Sequence, residues 1–281
     1  MEEKLKSYVG TIKNLPPSPS LMIELVKLLN SPDRDIDQLV ELLRYDQAVT
    51  AEILKLCNSA FFGQDEPATD VFEATFRLGF YEVYRVAMAL SSSRTVRCPA
   101  ARYGVDLEAL WAHSALTALT AQKLAKEVRA NESVAFTVGI LHDIGKVVFG
   151  CGEGTTYGRF NRELDGKISA LEAERARFGF DHGQLGSFLL GQWQLPDEIV
   201  IPVEFHHTPE LAPNLQKQTA VITLADVMAH RLNQNAASRR RIPNPPSAME
   251  ILQIDSEAVT ALTLEAKEEM GRVQGLFQRP S

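Results

Sequence analysis

GILHDIGKVVF, residues 139–149, is the stretch whose reading decides the fold. His142 and Asp143 stand side by side in a run that is otherwise almost wholly apolar. Ile140, Leu141, Ile144, Val147, Val148 and Phe149 make a segment that belongs in a core. A buried histidine and carboxylate need compensation, because an unpaired charge inside a protein is costly. A metal ion is the simplest compensating partner. Lys146 follows His142 by four residues, so on one helix the two share a face. Whether a metal is held then depends on ligands from elsewhere in the chain.

Length and composition set the bounds. A chain of 281 residues suffices for one large domain or two modest ones. A hydrophobic fraction of 45% and a charged fraction of 23% are ordinary for a globular protein. The absence of a run of about 18 apolar residues predicts no membrane span. The start, MEEKLKSYVG, lacks the charged-then-apolar layout of an export signal, so a cytoplasmic location is expected. Cys57, Cys98 and Cys151 are odd in number, without CxxC spacing, and are expected as reduced thiols. A net charge of −7 argues against broad nucleic-acid binding through phosphates. It leaves room for a small anionic ligand at a local cationic site.

Almost every segment reads as helix, and no convincing strand is present, so the class is all-α. Ser18-Pro19 opens the first clear helix and Ser31-Pro32 ends it. Asp35 and Asp46 start two more, the latter running to about Asn58, and Phe61-Phe62-Gly63 turns the chain. Asp70 with Glu73 has capping-box spacing. Gly79 breaks that helix and another follows over 81–92; the pair reads as packing, since the basic balance of a DNA-reading motif is missing. Residues 94–105 form a joint, and a long helix over 106–129 carries His113. The next helix, from Asn131 or Ser133, is expected to hold both His142 and Asp143. Residues 150–158 contain four glycines and read as loop. Ser169 with Glu172 and Asp181 with Gln184 fit capping boxes, and His182 lies in the turn after the second. Pro196 opens a helix with Glu204, His206 and His207; a later one over 215–233 carries Asp226 and His230. The proline-rich stretch 241–246 precedes one or two closing helices.

Only six histidines occur, and five of them, His113, His142, His182, His206 and His207, fall near core-facing parts of different helices. A lone histidine on an apolar face is ordinarily a hydrogen-bonded core residue. Five spread over four helices, with Asp143 and Asp226 beside them, read as ligands. Nitrogen and carboxylate donors without sulfur suit a divalent first-row metal. Seven groups exceed the needs of one ion with an open position and fit two ions sharing Asp143. Such a pair polarises a phosphoryl oxygen and lowers the pKa of a water between the ions. Neighbouring residues on a helix diverge by about 100°, so His206 and His207 serve one site only at a helix end or between helices. Glu204 is a candidate to orient a ring N–H of these histidines. Trp111 and Trp193 read as core, and His230 as an ordinary helix-face residue.

The motifs in order resemble a known family. GILHDIGKVVF resembles the HD superfamily of metal-dependent phosphohydrolases, named for its adjacent His-Asp. LPPSPSLMIELVKLLNSP, YDQAVTAEILKLCNSAFFG, ATFRLGF, FGFDHGQLGSFLLGQWQLP and HHTP extend the likeness to the HDOD proteins, bacterial signalling output domains, over roughly residues 12–232. The resemblance implies an HD-like helical bundle fused to an N-terminal helical lobe. It divides the chain into an N-terminal lobe (1–100), a metal-binding bundle (101–235) and a C-terminal linker with closing helices (236–281). By likeness to the HD phosphohydrolases, His113, His142, Asp143 and Asp226 would hold one ion, and Asp143, His182, His206 and His207 the other. Asp143 and Lys146 would be the catalytic pair, Lys146 resembling a lysine that faces a substrate phosphate in the HD-GYP branch. TPELAPN follows His206-His207 where that branch has its GYP signature, which argues against cyclic-dinucleotide hydrolysis. Ala109 stands four residues before His113, with Glu108 one step off, so two ions are expected and a third is not.

The expectation is thus a bacterial, cytoplasmic signal-transduction protein with two divalent ions (Fe, Mn, Ni or Zn). If it is an enzyme, it is a hydrolase acting on a phosphoester or nucleotide. Signalling proteins and a phosphorylated or nucleotide ligand are the expected partners; membrane and nucleic acid are not. Two alternatives stay open: a non-catalytic adaptor or ligand sensor, and a di-iron oxygenase-like HD protein.

Overall fold

The computed structural model describes residues 1–10, 36–59, 66–79, 82–83, 107–151, 169–233 and 245–277. Its elements are α1 (Glu2–Gly10), α2 (Ile36–Leu43), α3 (Gln47–Cys57), α4 (Val71–Leu78), α5 (Leu107–Glu127), α6 (Glu132–Leu141) and α7 (Ile144–Cys151). There follow α8 (Ala170–Phe178), α9 (His182–Gln192), α10 (Asp197–Phe205), a 3-10 turn (Pro209–Leu211), α11 (Gln216–Asn233), α12 (Pro246–Leu252) and α13 (Ser256–Phe277). No strand occurs among the described residues, and the class is all-α as the periodicity implied. The helix expected from Ser18-Pro19, the Phe61-Phe62-Gly63 turn, nearly all of the 81–92 helix, the 94–105 joint and most of the glycine-rich loop lie outside the described residues.

Local chemistry sets the helix starts. Asp46 and Asn131 accept hydrogen bonds from the third backbone N–H after them, at 3.0 and 3.1 Å. Ser169 and Asp181 form full capping boxes with Glu172 and Gln184. Asp70 caps α4 through the Glu73 N–H, while Glu73 reaches back to Thr69 rather than Asp70. Each such cap satisfies backbone donors that a helix start leaves unpaired.

The core is built around α6, whose residues from Val134 to Leu141 are all buried. It packs on α5, α10, α11 and α3, and the next helix, α7, packs on α9. Together Glu132–Cys151 is long and apolar enough to cross a membrane by length and composition, which departs from the expectation of no such run. Its window is 89% buried inside the protein, as a core segment is. Two glycines set the close approaches. A Cβ on Gly139 would lie 2.5 Å from the Ala118 Cα, so only glycine lets α6 meet α5 backbone to backbone. A Cβ on Gly145 would overlap the His182 carbonyl oxygen, so α7 rests directly on the start of α9. The two contacts hold the α6–α7 junction, where His142 lies, against the helices that carry His113 and His182.

Two expectations are corrected here. His142 and Asp143 do not lie within one helix: α6 ends at Leu141, His142 caps it, and α7 begins at Ile144. Aspartate immediately before a helix is favoured by the unpaired N–H groups and dipole of that terminus, so the motif's own acid divides the helix. Cys151 is disulfide-bonded, where a reduced thiol was expected; Cys57 is free and buried. Cys151 and Gly150 belong to α7, so the loop starts later than the glycine run implied.

The first and third helices tie into this core. Tyr8 of α1 meets Phe149, Phe178 and Phe180 edge to face, with centroids 5.9, 6.4 and 5.4 Å away. Gln47, at the start of α3, donates to Ser114 Oγ at 2.8 Å and to the Ile140 carbonyl at 2.7 Å. Ser114 follows His113 and Ile140 lies two residues before His142, so Gln47 ties α3 to a side chain beside one and to the backbone near the other.

Candidate metal centre

Helix ends position most of the site. His142 and Asp143 occupy the α6–α7 junction, His182 is the first residue of α9, and His206 and His207 follow α10. His206 is the C-cap of α10, which is how two adjacent histidines turn toward one region; their ring centroids are 3.9 Å apart. His113 and Asp226 lie mid-helix on α5 and α11.

The structure brings all seven residues together. Asp143 stands between two groups of imidazoles. Its Oδ1 is 3.2 Å from His182 Nε2, and its Oδ2 is 3.4 Å from His142 Nε2 and 3.8 Å from His113 Nε2. Asp226 Oδ1 is 2.9 Å from His113 Nε2 and 3.7 Å from His142 Nε2. His182 Nε2 faces His207 Nε2 at 3.0 Å. Three sets have ligand atoms mutually within 4.8 Å: His182, His206 and His207; His113, His142 and Asp143; and His113, Asp226 and His230.

The inner nitrogens are oriented by what the outer ones bond. His142 Nδ1 lies 2.8 Å from the Gly139 carbonyl and His206 Nδ1 2.7 Å from the Val203 carbonyl. A carbonyl only accepts, so each Nδ1 carries a proton and Nε2 is the nitrogen that presents a lone pair whenever the ring is neutral. Both Nε2 atoms are buried and have no hydrogen-bond partner among the described residues. Leaving such atoms unpaired costs about 1–3 kcal/mol each. A cation is the acceptor-seeking group that a cluster of lone pairs and carboxylates satisfies. The outer bonds match the usual support of metal-bound histidine by a carbonyl or carboxylate. The residues present therefore fit a divalent ion.

Electrostatics agrees. Burial alone would raise the Asp143 carboxyl, but Lys146 and His142 reverse this and hold it well below the ordinary carboxylate range. Burial likewise opposes the Asp226 charge, and the hydrogen bond from His113 together with the nearby His142 more than offsets it. Burial drives His206 down to about 3, helped by His142 and His182. Burial also opposes a charged His142, yet Asp143 and Asp226 raise it to about 10. In the metal-free protein a proton on His142 and the Lys146 ammonium thus balance the two carboxylates.

Lys146 departs from expectation. Its Nζ is 2.7 Å from Asp143 Oδ2, three residues back, rather than paired with the His142 face. The side chain keeps 25% exposure, so its stem runs outward from the carboxylates. Glu204 departs too: it faces Ser187 and Asp181. The carboxylate that orients a ligand histidine is Glu174 of α8, whose Oε2 takes hydrogen bonds from the His182 N–H at 2.9 Å and Nδ1 at 2.8 Å. Arg175 places it, with Nε and Nη2 at 2.7 and 2.6 Å from Asp181 Oδ2 across the turn at Gly179, whose φ is +89°. The signal for Glu174 was present: it shares a helix face with Leu171 and Phe178, where a carboxylate is out of place. His230, read as an ordinary helix-face residue and left out of the ligand set, also reaches the cluster; its Nε2 is 3.4 Å from Asp226 Oδ1.

Comparison with known proteins follows the same outline. The family model for the HDOD domain matches residues 15–209. The chain belongs to the HDOD family. An uncharacterized protein of Treponema pallidum (strain Nichols) is 26% identical over 274 residues, 92% of this chain and 51% of that protein. The chain thus spans about half the length of the curated relative it matches. The MmoQ response regulator from Methylococcus capsulatus str. Bath is 25% identical with a TM-score of 0.71, covering 90% of this chain and 99% of that one. An HDOD domain protein with unknown function from Geobacter sulfurreducens shares the fold, with a TM-score of 0.59 at 22% identity over 99% of this chain and 98% of that one. In this HDOD protein the matched segment holds His113, His142, Asp143, His182, His206 and His207; Asp226 and His230 lie beyond it on α11.

Proposed function

We propose that this HDOD protein is a cytoplasmic component of a bacterial signalling pathway that holds two divalent ions and hydrolyses a phosphoester or nucleotide. The observation that carries the reading is the pair of buried Nε2 atoms of His142 and His206 that lack a hydrogen-bond partner, the first of them 3.4 Å from Asp143 Oδ2. His113, His142, Asp143 and Asp226 would hold one ion, and Asp143, His182, His206 and His207 the other. Bound there, two cations supply Lewis-acid polarisation of a phosphoryl oxygen and activation of water.

The protein's own groups do the rest. Asp143 uses one oxygen toward each histidine group, which keeps both within reach of one substrate atom. With cations balancing Asp143, Lys146 would be released from its 2.7 Å pairing there and could hold a substrate phosphate oxygen. Glu174 holds His182 in the tautomer that directs Nε2 inward. The division into an N-terminal lobe (1–100), an HD-like bundle (101–235) and a closing segment (236–281) belongs to the same reading, with signalling proteins as partners. The name of the MmoQ response regulator supports the signalling part.

A specific observation favours a second, adaptor reading: the Lys146–Asp143 pair at 2.7 Å already satisfies one carboxylate without metal. The experiment that separates the two is hydrolysis of bis(p-nitrophenyl) phosphate by chelator-stripped protein resupplied with Mn²⁺ or Fe²⁺. Metal-dependent release of p-nitrophenol, lost in Asp143→Ala, supports hydrolysis. No release with either metal, together with unaltered partner binding by Asp143→Ala, supports the adaptor.

A further inference from the structure

His230 is the one histidine the ligand set above does not use. It lies one helical turn after Asp226 on α11, so the two project from the same face. Its ring packs on His113, with centroids 4.2 Å apart and planes tilted by 34°. Its Nε2 is 3.4 Å from Asp226 Oδ1, the oxygen that also lies 2.9 Å from His113 Nε2. That 3.4 Å is longer than the roughly 2.7–2.9 Å of a charge-assisted hydrogen bond. It equals the separation of two ligand atoms on a tetrahedral ion with bonds of roughly 2.1 Å. The His230 side chain is 48% exposed, whereas those of His113 and Asp226 are each 8% exposed, so it closes the cluster from the solvent side.

We propose that His230 is a further ligand of the ion held by His113 and Asp226, supplied from solvent and able to leave. The proposal rests on the two-ion reading and adds a third imidazole, after those of His113 and His142, to one of its ions. A half-exposed ligand costs little to displace, because water replaces what its ring loses. The ion nearest α11 is therefore the exchangeable one, and the ion among His182, His206 and His207 the retained one.

The test is titration of the chelator-stripped full chain with Co²⁺, followed by calorimetry and by visible ligand-field absorption. Wild type takes up two ions in two steps. His230→Ala and His230→Gln weaken one step by at least about tenfold and change its absorption band, leaving the other step as in wild type. Circular dichroism melts of the stripped variants match wild type, since the side chain is half-exposed. Two steps with wild-type affinities and spectra in both variants overturn the role of His230 alone. A wild-type chain that takes up no Co²⁺ overturns the metal reading, and this proposal with it.

Discussion

Glu174 Oε2 lies 2.8 Å from His182 Nδ1 and 2.9 Å from the His182 backbone N–H, and both residues are fully buried. One carboxylate oxygen thereby fixes both the start of α9 and the direction of an imidazole. Removing it has two consequences. Glu174→Ala leaves two buried donors unpaired and lowers stability by about 1–3 kcal/mol in urea unfolding of the stripped protein. It also weakens divalent-metal binding by about 10- to 100-fold, read by titration with Mn²⁺. Unchanged metal affinity in a folded Glu174→Ala protein contradicts the assigned role.

Gly145 tests whether helix contact positions the site. A Cβ there overlaps the His182 carbonyl oxygen, a backbone atom that has nowhere to go. Gly145→Ala should cost about 1–3 kcal/mol as an overpacked core position and weaken metal binding by separating Asp143 from His182. Gly191, also within α9, has nothing within 4 Å of the corresponding position. Gly191→Ala should be neutral, or stabilising by up to about 1 kcal/mol from helix propensity. Equal effects of the two substitutions would contradict the close-approach account.

The stripped protein should show a stability maximum in pH near 6.5, the ordinary histidine value. His142 is raised to about 10 in the folded state, so its contribution is full below 6.5 and is lost as pH rises toward 10. His206 is lowered to about 3, so the unfolded chain gains a proton first as pH falls from 6.5 toward 3, and stability is lost on that side. Asp143 and Asp226, both held low, add to the acid-side loss. Thermal midpoints across pH 4–10 in chelator check the shape. A midpoint that rises steadily through pH 9 contradicts the His142 assignment.

Metal should change the alkaline arm. A ligand imidazole is neutral, so binding expels the His142 proton, and apparent affinity rises with pH up to about 10. Calorimetry at pH 7 in buffers of different ionisation enthalpy should register proton release on binding. No release would mean that His142 is not a ligand.

Much of this was legible in the chain. The capping boxes at Ser169 and Asp181 needed only side-chain chemistry at fixed spacing, and both formed. His182 was read into the turn after the Asp181 capping box and opens α9, and His206-His207 were expected at a helix end or between helices and follow α10. The break at His142-Asp143 was not legible, since apolar residues continue through it and periodicity registers no interruption. Lys146 was assigned to a shared face with His142 because a continuous helix was assumed; with the break, Asp143 is its nearer neighbour. Glu174 and His230 were left out of the site for a common reason. Local pattern marks Glu174 as out of place on an apolar face and His230 as sharing the Asp226 face, but what each meets, His182 and His113, depends on crossings set by Gly139, Gly145 and the packed core.

The most direct measurement is the metal content of the full chain, purified without chelator or a nickel column, by plasma mass spectrometry. The account predicts about two divalent ions per chain in wild type and loss of both in Asp143→Ala, the shared ligand. Wild-type protein carrying less than about 0.2 ions per chain, and taking up none from excess Mn²⁺ or Fe²⁺, would contradict it.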